Sequence, residues 1–108
     1  MLRTSFHEVG GELLLFMTGH ADYAAHGQDI VCAAASIMAT ALDNSLLLLE
    51  AEKQSEAGPG KTILRCRATE QTRTLFTMAA VGLCQLAAAY PAHVTVCMDD
   101  FALMPEPP

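Results

Sequence analysis

The chain has 108 residues, of which 52% are hydrophobic, and its formal net charge is −6. This length suits one domain, and the composition is that of a globular rather than a disordered protein. Six Lys and Arg residues against twelve Asp and Glu residues argue against direct nucleic-acid binding, because phosphate recognition requires clustered positive charge.

The first two elements are predicted to be short strands over residues 2–8 and 12–18. Gly10 and Gly11 lie between them, and a Gly-Gly pair supplies the positive φ that a tight hairpin turn requires. The segment 19–28 contains Gly, His, Asp and a second Gly without regular periodicity. It is therefore predicted to be a loop after an opening β-hairpin.

A long helix is predicted from Ile30 to about Glu52, where the chain is rich in Ala, Leu and Met and lacks Pro and Gly. Asp29 is the predicted N-cap, because its carboxylate can accept hydrogen bonds from unpaired N–H groups of the first turn. Cys32 then stands at the third helical position. Residues 54–61, which contain Ser-Glu-Ala-Gly-Pro-Gly, are typical of a turn or short flexible loop.

The third predicted strand covers residues 62–68, whose apolar and charged side chains alternate as in a half-buried strand. A second helix is predicted over residues 70–90, with Thr69 or Thr72 as its cap. It stops at the residue before a proline, because that position disfavours helical geometry.

The last predicted strand covers residues 93–98, and the Pro-rich tail over 104–108 is expected to be a loose end. The resulting order is ββαβαβ. It predicts an α/β fold, a two-layer sandwich in which a small sheet carries two helices packed on one face. Residues 1–108 are expected to form a single domain.

The N-terminal sequence has no long apolar segment after a basic start, which predicts that there is no signal peptide. The uninterrupted apolar runs at 13–17 and 46–49 are much shorter than the roughly 20 residues needed to cross a bilayer. We therefore expect a cytoplasmic protein that does not contact a membrane.

The four cysteines match neither a CxxC pair nor a zinc-finger spacing. In a reducing compartment we expect them to be free thiols. Cys66 on a strand and Cys84 within a helix are expected to be core thiols. Composition and spacing do not decide which thiol is reactive. The four cysteines are Cys32, Cys66, Cys84 and Cys97.

Residues 19–36 contain most of the candidate catalytic side chains. In the first turn of a helix, the positive end of the helix dipole favours the thiolate form of Cys32. His20, at the end of the second strand, is placed to return across the loop and act as its base. Backbone N–H groups at Cys32 are candidate donors to an oxyanion, and the small side chain of Ala33 keeps that space open. Ser36, one turn further, contacts substrate or bonds back to a helix carbonyl.

From the residues alone, other interpretations stay open. A cysteine near a helix start is more often a small buried hydrophobic residue, so the same loop also suits a non-catalytic binding module. A metal site is a second alternative, although the spacing of the candidate zinc ligands is unusual, and we predict neither metal nor cofactor. A serine hydrolase is disfavoured because the chain lacks a G-x-S-x-G motif. The candidate zinc ligands are His20, His26, Asp29 and Cys32.

Two motifs in this segment resemble those of the bacterial ribosomal-processing cysteine protease family, Prp. Its members carry Gly-His-Ala followed by Gly-x-Asp-Ile-Val-Cys-Ala-Ala-x-Ser. Here the motifs are Gly19-His20-Ala21 and Gly27-Gln28-Asp29-Ile30-Val31-Cys32-Ala33-Ala34-Ala35-Ser36. The resemblance implies a cysteine endopeptidase that removes a short N-terminal extension from a large-subunit ribosomal protein.

The resemblance also implies roles for individual residues. His20 and Cys32 become the catalytic pair, and Asp29 caps the helix or orients the loop. A homodimer and a mobile loop between His20 and Cys32 are implied as well. His26 stands where the resemblance provides no histidine, so it places a second imidazole near the nucleophile. The remaining residues expected to support the site or bind substrate are Gly19, Ala33 and Ser36.

Overall fold

Five strands form one mixed sheet in the computed structural model, which describes residues 1–103. The strand order is β3-β4-β2-β1-β5, in which β1 and β5 are parallel and the other neighbours are antiparallel. The predicted α/β two-layer fold is confirmed, whereas the predicted tail over 104–108 lies outside the described residues. The elements are β1 (Leu2–Val9), β2 (Glu12–Thr18), α1 (Ile30–Leu48), β3 (Lys53–Gly58), β4 (Lys61–Arg67), α2 (Glu70–Ala89) and β5 (Val94–Asp100).

One face of the sheet is covered by both helices and forms the core. Alternate side chains point to opposite faces of a strand, and the buried residues of β1, β2 and β4 lie at alternate positions. The helices contribute buried side chains from one stripe each. The largest fully buried side chains are Phe6, Phe76, Leu13, Leu15, Leu42, Leu46, Leu64, Leu83, Val31, Val94 and Cys66.

The strand β3 is the main difference from the sequence prediction, which gave residues 54–61 as a turn or loop. Its sequence, Lys-Gln-Ser-Glu-Ala-Gly, is poor in the β-branched and aromatic residues that favour strands. It is extended because it pairs along its length with β4, from Lys53 opposite Cys66 to Gly58 opposite Lys61. The predicted turn is therefore restricted to the connection between these two strands.

The helix α1 ends at Leu48 instead of continuing to about Glu52. Glu50 has a φ of 55°, and its N–H donates to the carbonyl oxygen of Leu47 at 3.0 Å. The Ala51 N–H donates to the Leu46 carbonyl oxygen, also at 3.0 Å. These two bonds form a Schellman motif, which commonly uses glycine at the left-handed position. Because position 50 is a glutamate, the sequence does not indicate that the helix ends there.

The helix α2 begins as predicted, and both candidate capping residues contribute. The Thr69 hydroxyl accepts from the Thr72 N–H at 3.1 Å, and the Thr72 hydroxyl accepts from the Thr69 N–H at 2.8 Å. This reciprocal arrangement is a capping box.

By length and composition alone, α1 could cross a membrane. However, its buried residues recur along one stripe and join the core against the sheet. The same apolar composition is found in core helices of folded domains. These residues are Val31, Ala35, Ala39, Leu42 and Leu46.

The end of β2, the start of α1 and the β3–β4 turn lie at the same end of the sheet. The Gly19 N–H donates to the Gly60 carbonyl oxygen at 2.9 Å, which joins the first residue after β2 to that turn. Gly19 has a φ of 87°, and a Cβ at this position would lie 2.5 Å from the Met1 carbonyl oxygen. Glycine is therefore required both by the backbone conformation and by the close approach.

Candidate active site

Asp29 is the N-cap of α1, as predicted. Its Oδ1 accepts a hydrogen bond from the Cys32 N–H at 2.9 Å, and the following residues are helical from Ile30 onward. Cys32 therefore lies in the first turn, at the end of the helix where the partial positive charge of the dipole is concentrated.

The second carboxylate oxygen of Asp29 holds the loop that precedes the helix. Oδ2 accepts from the Tyr23 N–H at 3.0 Å and from the Ala24 N–H at 3.4 Å. The hydrogen bond from Cys32, reinforced by those from Tyr23 and Ala24, holds the pKa of Asp29 below its ordinary value. An ionised Asp29 thus connects the middle of the loop with the start of the helix.

A cleft of about 440 Å³ lies between this loop and the first turns of α1. Its size falls within the range of small-ligand sites. The cleft contains both members of the expected catalytic pair, together with Asp29, Ala33 and Ser36. Its lining residues are His20, Asp22, Ala24, His26, Gly27, Asp29, Cys32, Ala33 and Ser36.

The imidazole of His20 packs against Gly60 of the β3–β4 turn. A Cβ at position 60 would lie 2.9 Å from His20 Nε2, and Gly60 has a φ of 69°. The backbone of this turn is joined to Gly19, directly before the histidine. The β3–β4 turn therefore limits the positions available to the His20 ring, a role that the sequence analysis missed.

Cys32 is half-buried at the edge of the cleft. Its N–H already donates to Asp29, and the Ala33 N–H donates to the Asp29 carbonyl oxygen at 3.0 Å within the regular helix. Contrary to expectation, the Cys32 N–H is thus not free to bind an oxyanion in this conformation.

Ser36 is exposed and lines two adjoining pockets. It lines the cleft that contains Cys32 and also a smaller pocket of about 160 Å³ between α1 and the β3–β4 hairpin. Within residues 1–103 its hydroxyl makes no hydrogen bond, unlike that of Thr74, which bonds back to the Glu70 carbonyl oxygen at 2.9 Å. The alternative in which Ser36 bonds back to a helix carbonyl is therefore not seen in this conformation, and contact with substrate stays a prediction.

The candidate zinc ligands do not form a metal-binding cluster. Across residues 1–103, no group of three or more His, Cys, Asp or Glu side chains is placed to hold an ion. Asp29 is committed to three backbone N–H groups. His26 lies on the exposed outer part of the loop and lines the cleft.

Three further residues support the loop and were not identified from the sequence. The Tyr23 ring lies edge-to-face against Tyr90 and against His93, with centroid distances of 5.3 Å in both cases. His93 Nδ1 donates to the Ala21 carbonyl oxygen at 2.8 Å. Tyr90 and His93 are remote from the motif in the sequence, which carries no local signal for these contacts.

The other thiols have different environments. Cys66 is buried in the core, Cys84 is half-buried, and Cys97 is exposed on the opposite face of the sheet from the helices. Burial raises the pKa of Cys66 and of Cys84 above the ordinary value of a thiol. These two residues are therefore poor nucleophiles at neutral pH.

Comparison with known proteins gives one family and several solved structures. The family described as cysteine protease Prp matches residues 1–95. The ribosomal processing protease Prp of S. aureus, in complex with a covalently linked product peptide, is 21% identical with a TM-score of 0.83, covering 92% of this chain and 100% of that one. The same protease with a substrate peptide is 19% identical with a TM-score of 0.71, at the same coverage. At these identities the S. aureus structures establish similarity of fold.

SMU.848 from Streptococcus mutans is 29% identical, with a TM-score of 0.69, and the alignment covers 91% of this chain and 93% of that one. The search of curated proteins gives no match. The family match thus spans all elements from β1 to α2, including the complete cleft.

Proposed function

Because the chain belongs to the cysteine protease Prp family, we propose that it is an endopeptidase that removes a short N-terminal extension from a large-subunit ribosomal protein. The observation that carries this proposal is the shared cleft of His20 and Cys32, with Cys32 in the first turn of a capped helix. The similarity in fold to a ribosomal processing protease holding a substrate or product peptide supports the same class of substrate.

The proposed reaction uses Cys32 as nucleophile and His20 as general base and acid. His20 takes the thiol proton, and the Cys32 sulfur attacks the carbonyl carbon of the scissile bond. His20 then gives the proton to the leaving amine, which releases the mature ribosomal protein and leaves a thioester on Cys32. Water hydrolyses this thioester with His20 again acting as base, and the peptide leaves as a carboxylic acid.

Asp29 supports this chemistry through its contacts with the backbone. It holds the first turn of α1 and the loop together from one carboxylate, so the positions of the nucleophile and the loop are coupled. Ala33 lines the cleft without a large side chain, and Gly19 allows the chain before His20 to pass close to the Met1 backbone. In this proposal Ser36, which lines the cleft and the adjoining pocket, contacts the peptide.

The charge of the cleft suits a basic peptide. Its lining contains two carboxylates, Asp22 and Asp29, and no Lys or Arg, in a chain whose formal charge is −6. Opposite charge accelerates the encounter of protein and peptide, especially at low ionic strength.

The decisive experiment incubates the protein with the extended ribosomal protein and measures the mass of both products. The wild type should release one short peptide, whereas Cys32→Ala and His20→Ala should each lose nearly all cleavage. His26→Ala is the matched control, because it removes another imidazole from the same cleft, and it should retain most activity. Undiminished cleavage by Cys32→Ala or His20→Ala would exclude the proposed dyad.

A non-catalytic binding module is the alternative that the same experiment distinguishes. Such a module would bind the extended protein without cleaving it, and Cys32 would be alkylated no faster than the exposed Cys97. Under the proposed function, Cys32 is alkylated faster than Cys97 at about pH 7, and His20→Ala removes the difference.

The resemblance further supports a cytoplasmic homodimer in which residues 1–108 form one protease domain. Several large apolar side chains are exposed on the outer sides of the helices, among them Ile30, Ile37, Met78 and Val81, which is consistent with a protein partner. Analytical ultracentrifugation should give twice the monomer mass, and a monomer at micromolar concentration would contradict this part of the proposal.

A further inference from the structure

The loop between β2 and α1 is fixed along its first half only. The Tyr23 ring packs against Tyr90 and His93 at the corner between α2 and β5, at interplanar angles of 78° and 82°. Edge-to-face contacts of this kind are favourable beyond the area they bury. The hydrogen bond from His93 to the Ala21 carbonyl oxygen holds the chain two residues earlier, and Ala21 itself is 1% exposed.

The backbone of Tyr23 is also part of the connection to the nucleophile. Its N–H donates to Oδ2 of Asp29, while Oδ1 of the same carboxylate accepts from the Cys32 N–H. Displacement of Tyr23 would therefore disturb the N-cap of α1, and it would release the segment that immediately follows His20.

The outer part of the loop, residues 25–28, lacks comparable anchors. All four residues are exposed. The backbone hydrogen bond within this segment, from the Gln28 N–H to the Ala25 carbonyl oxygen at 2.9 Å, closes a local turn. Segments with few buried contacts open at low free-energy cost. The loop thus consists of an anchored base, residues 19–24, and an unanchored tip, residues 25–28.

We propose that Tyr23 is a positioning residue of the active site. Its ring holds the base of the loop on the α2–β5 corner, so that His20 and Cys32 keep their relative positions while only the tip moves to admit a peptide. This inference rests on the proposed function, and it identifies which part of the loop moves and which part stays fixed. Tyr23 acts through the backbone and does not touch the reacting atoms.

The kinetic test compares Tyr23→Ala with Tyr23→Phe. We expect Tyr23→Ala to lower kcat at least about tenfold, while KM changes less than about threefold, because misplacement of the reacting groups affects the chemical step. Tyr23→Phe keeps the ring contacts and should restore nearly wild-type kcat. Val9→Ala removes another exposed apolar side chain, at the end of β1, and should leave kcat unchanged.

A wild-type kcat in Tyr23→Ala would overturn the inference. So would a loss of kcat in Tyr23→Phe as large as that in Tyr23→Ala, because it would assign the effect to the hydroxyl. Far-UV circular dichroism checks the fold of each variant. Should Tyr23→Ala fail to fold, Tyr23→Leu fills the same space without an aromatic edge and is expected to lower kcat in the same way.

A spectroscopic test does not depend on turnover. The chain contains two tyrosines and no tryptophan, and the two tyrosines are the pair in contact. The tyrosine band of the near-UV circular dichroism spectrum, which lies at longer wavelength than the phenylalanine bands, therefore reports on the surroundings of these two rings. A substrate peptide without Tyr or Trp, bound to Cys32→Ala, should leave the band unchanged. Loss of the band on binding would show that the base also opens and would contradict the inference.

The alkylation rate of Cys32 separates failure of this inference from failure of the proposed function. At about pH 7 we expect Tyr23→Ala to slow the reaction of Cys32 with iodoacetamide towards the rate of His20→Ala, while Cys97 reacts as in the wild type. An unchanged Cys32 rate would contradict the positioning role even if the wild type cleaves. A slowed rate in a chain that cleaves nothing would support the anchor and reject only the assigned activity.

Discussion

Asp29 accepts hydrogen bonds from both sides of the active-site loop, and its two oxygens have separate tasks. Oδ1 caps α1 through the Cys32 N–H, and Oδ2 holds the loop through the Tyr23 N–H. Asparagine has one accepting oxygen, because its amide nitrogen cannot accept a hydrogen bond. It can keep the cap through the Cys32 N–H, but it then loses the contact with the Tyr23 N–H. The residue therefore offers a direct way to separate capping from loop attachment.

We predict that Asp29→Ala lowers the free energy of unfolding, because it removes the N-cap of α1, and also lowers kcat. Asp29→Asn should retain most of the stability and still lose activity. Urea unfolding and the cleavage assay measure the two effects. If Asp29→Asn were as active as the wild type, attachment of the loop through Oδ2 would be irrelevant to catalysis.

Because the pKa of Asp29 is lowered in the folded protein, the stability that its carboxylate contributes decreases towards acid pH. The contribution of its carboxylate is fully present above the unfolded-state pKa of about 3.9. It is lost as the pH falls through the lower folded-state value. The stability difference between wild type and Asp29→Ala should therefore persist at neutral pH and shrink only in strong acid.

The four thiols should differ in reactivity according to their surroundings. Burial raises the pKa of Cys66 and Cys84, so a smaller fraction of each is thiolate at a given pH. After brief alkylation of the folded protein at about pH 7, peptide mapping should show label on Cys32 and Cys97 and little on Cys66 and Cys84. Faster labelling of Cys66 than of Cys97 would contradict the described core.

For individual residues, the sequence allowed predictions where the interacting residues are close along the chain. His20, Asp29 and Cys32 could be proposed because they lie within a short segment and use well-known chemistry. The contacts of Tyr90 and His93 with this loop could not, since they depend on how α2 and β5 return to the loop. The same limit applies to Gly60, whose contact with His20 requires the β3–β4 hairpin.

At the scale of elements, the β3–β4 hairpin lies beside the site. Its turn lies against His20, and the neighbouring pocket is bounded by residues of both strands. The strand β3 was not predicted because its polar sequence has little intrinsic preference for extended structure, and pairing with β4 determines its conformation. The early end of α1 was missed for a related reason, since Glu50 takes a conformation usually left to glycine.

We predict that Gly60→Ala lowers activity by displacing the His20 ring. Gly10→Ala is a matched control, because Gly10 also has a positive φ, 59°, but a Cβ there meets nothing within 4 Å. Both variants should lose about 1–2 kcal/mol of stability through backbone strain, measured by urea unfolding. Only Gly60→Ala should lose cleavage activity beyond that effect, and an equal loss in both would refute the contact.

Gly58→Ala provides a second comparison within the same hairpin. Gly58 has no positive φ, and a Cβ there also meets nothing within 4 Å. We expect this variant to resemble the wild type in both stability and activity, so that a loss in Gly60→Ala can be assigned to its position and not to the hairpin in general.

At the scale of the whole molecule, an ion pair joins the first strand to the second helix. Arg73 Nη2 donates to Glu8 Oε2 at 2.9 Å, and Nη1 donates to Oε1. This hydrogen bonding holds the pKa of Glu8 below its ordinary value. Both side chains are about one-third exposed, so solvent reduces the energy of the pair.

We predict that Glu8→Gln lowers the free energy of unfolding by about 0.5–1 kcal/mol at pH 7. Because the folded-state pKa is lowered, the difference is present above the unfolded value of about 4.3 and disappears as the pH falls through the folded value. Urea unfolding at several pH values tests this. Glu56→Gln, whose partner Lys61 is 4.0 Å away and exposed, is the control and should change stability by less than about 0.5 kcal/mol.

The general architecture could be predicted because the hydrophobic periods of strands and helices are local properties of the sequence. The order of the strands could not, since β1 pairs with β2 on one side and in parallel with β5 on the other. Leu2 lies opposite Val94 in that second pairing, and no local pattern indicates such a distant partner.

The position of β1 between β2 and β5 determines when the site can be completed during synthesis. His20 and Cys32 are translated before α2, whereas Tyr90, His93 and the strand that completes the sheet are translated after it. A nascent chain that ends before β5 has both residues of the proposed dyad but lacks the α2–β5 corner that holds their loop. Since domains fold as units, we expect the proposed proteolytic activity to arise only after β5 has left the ribosome.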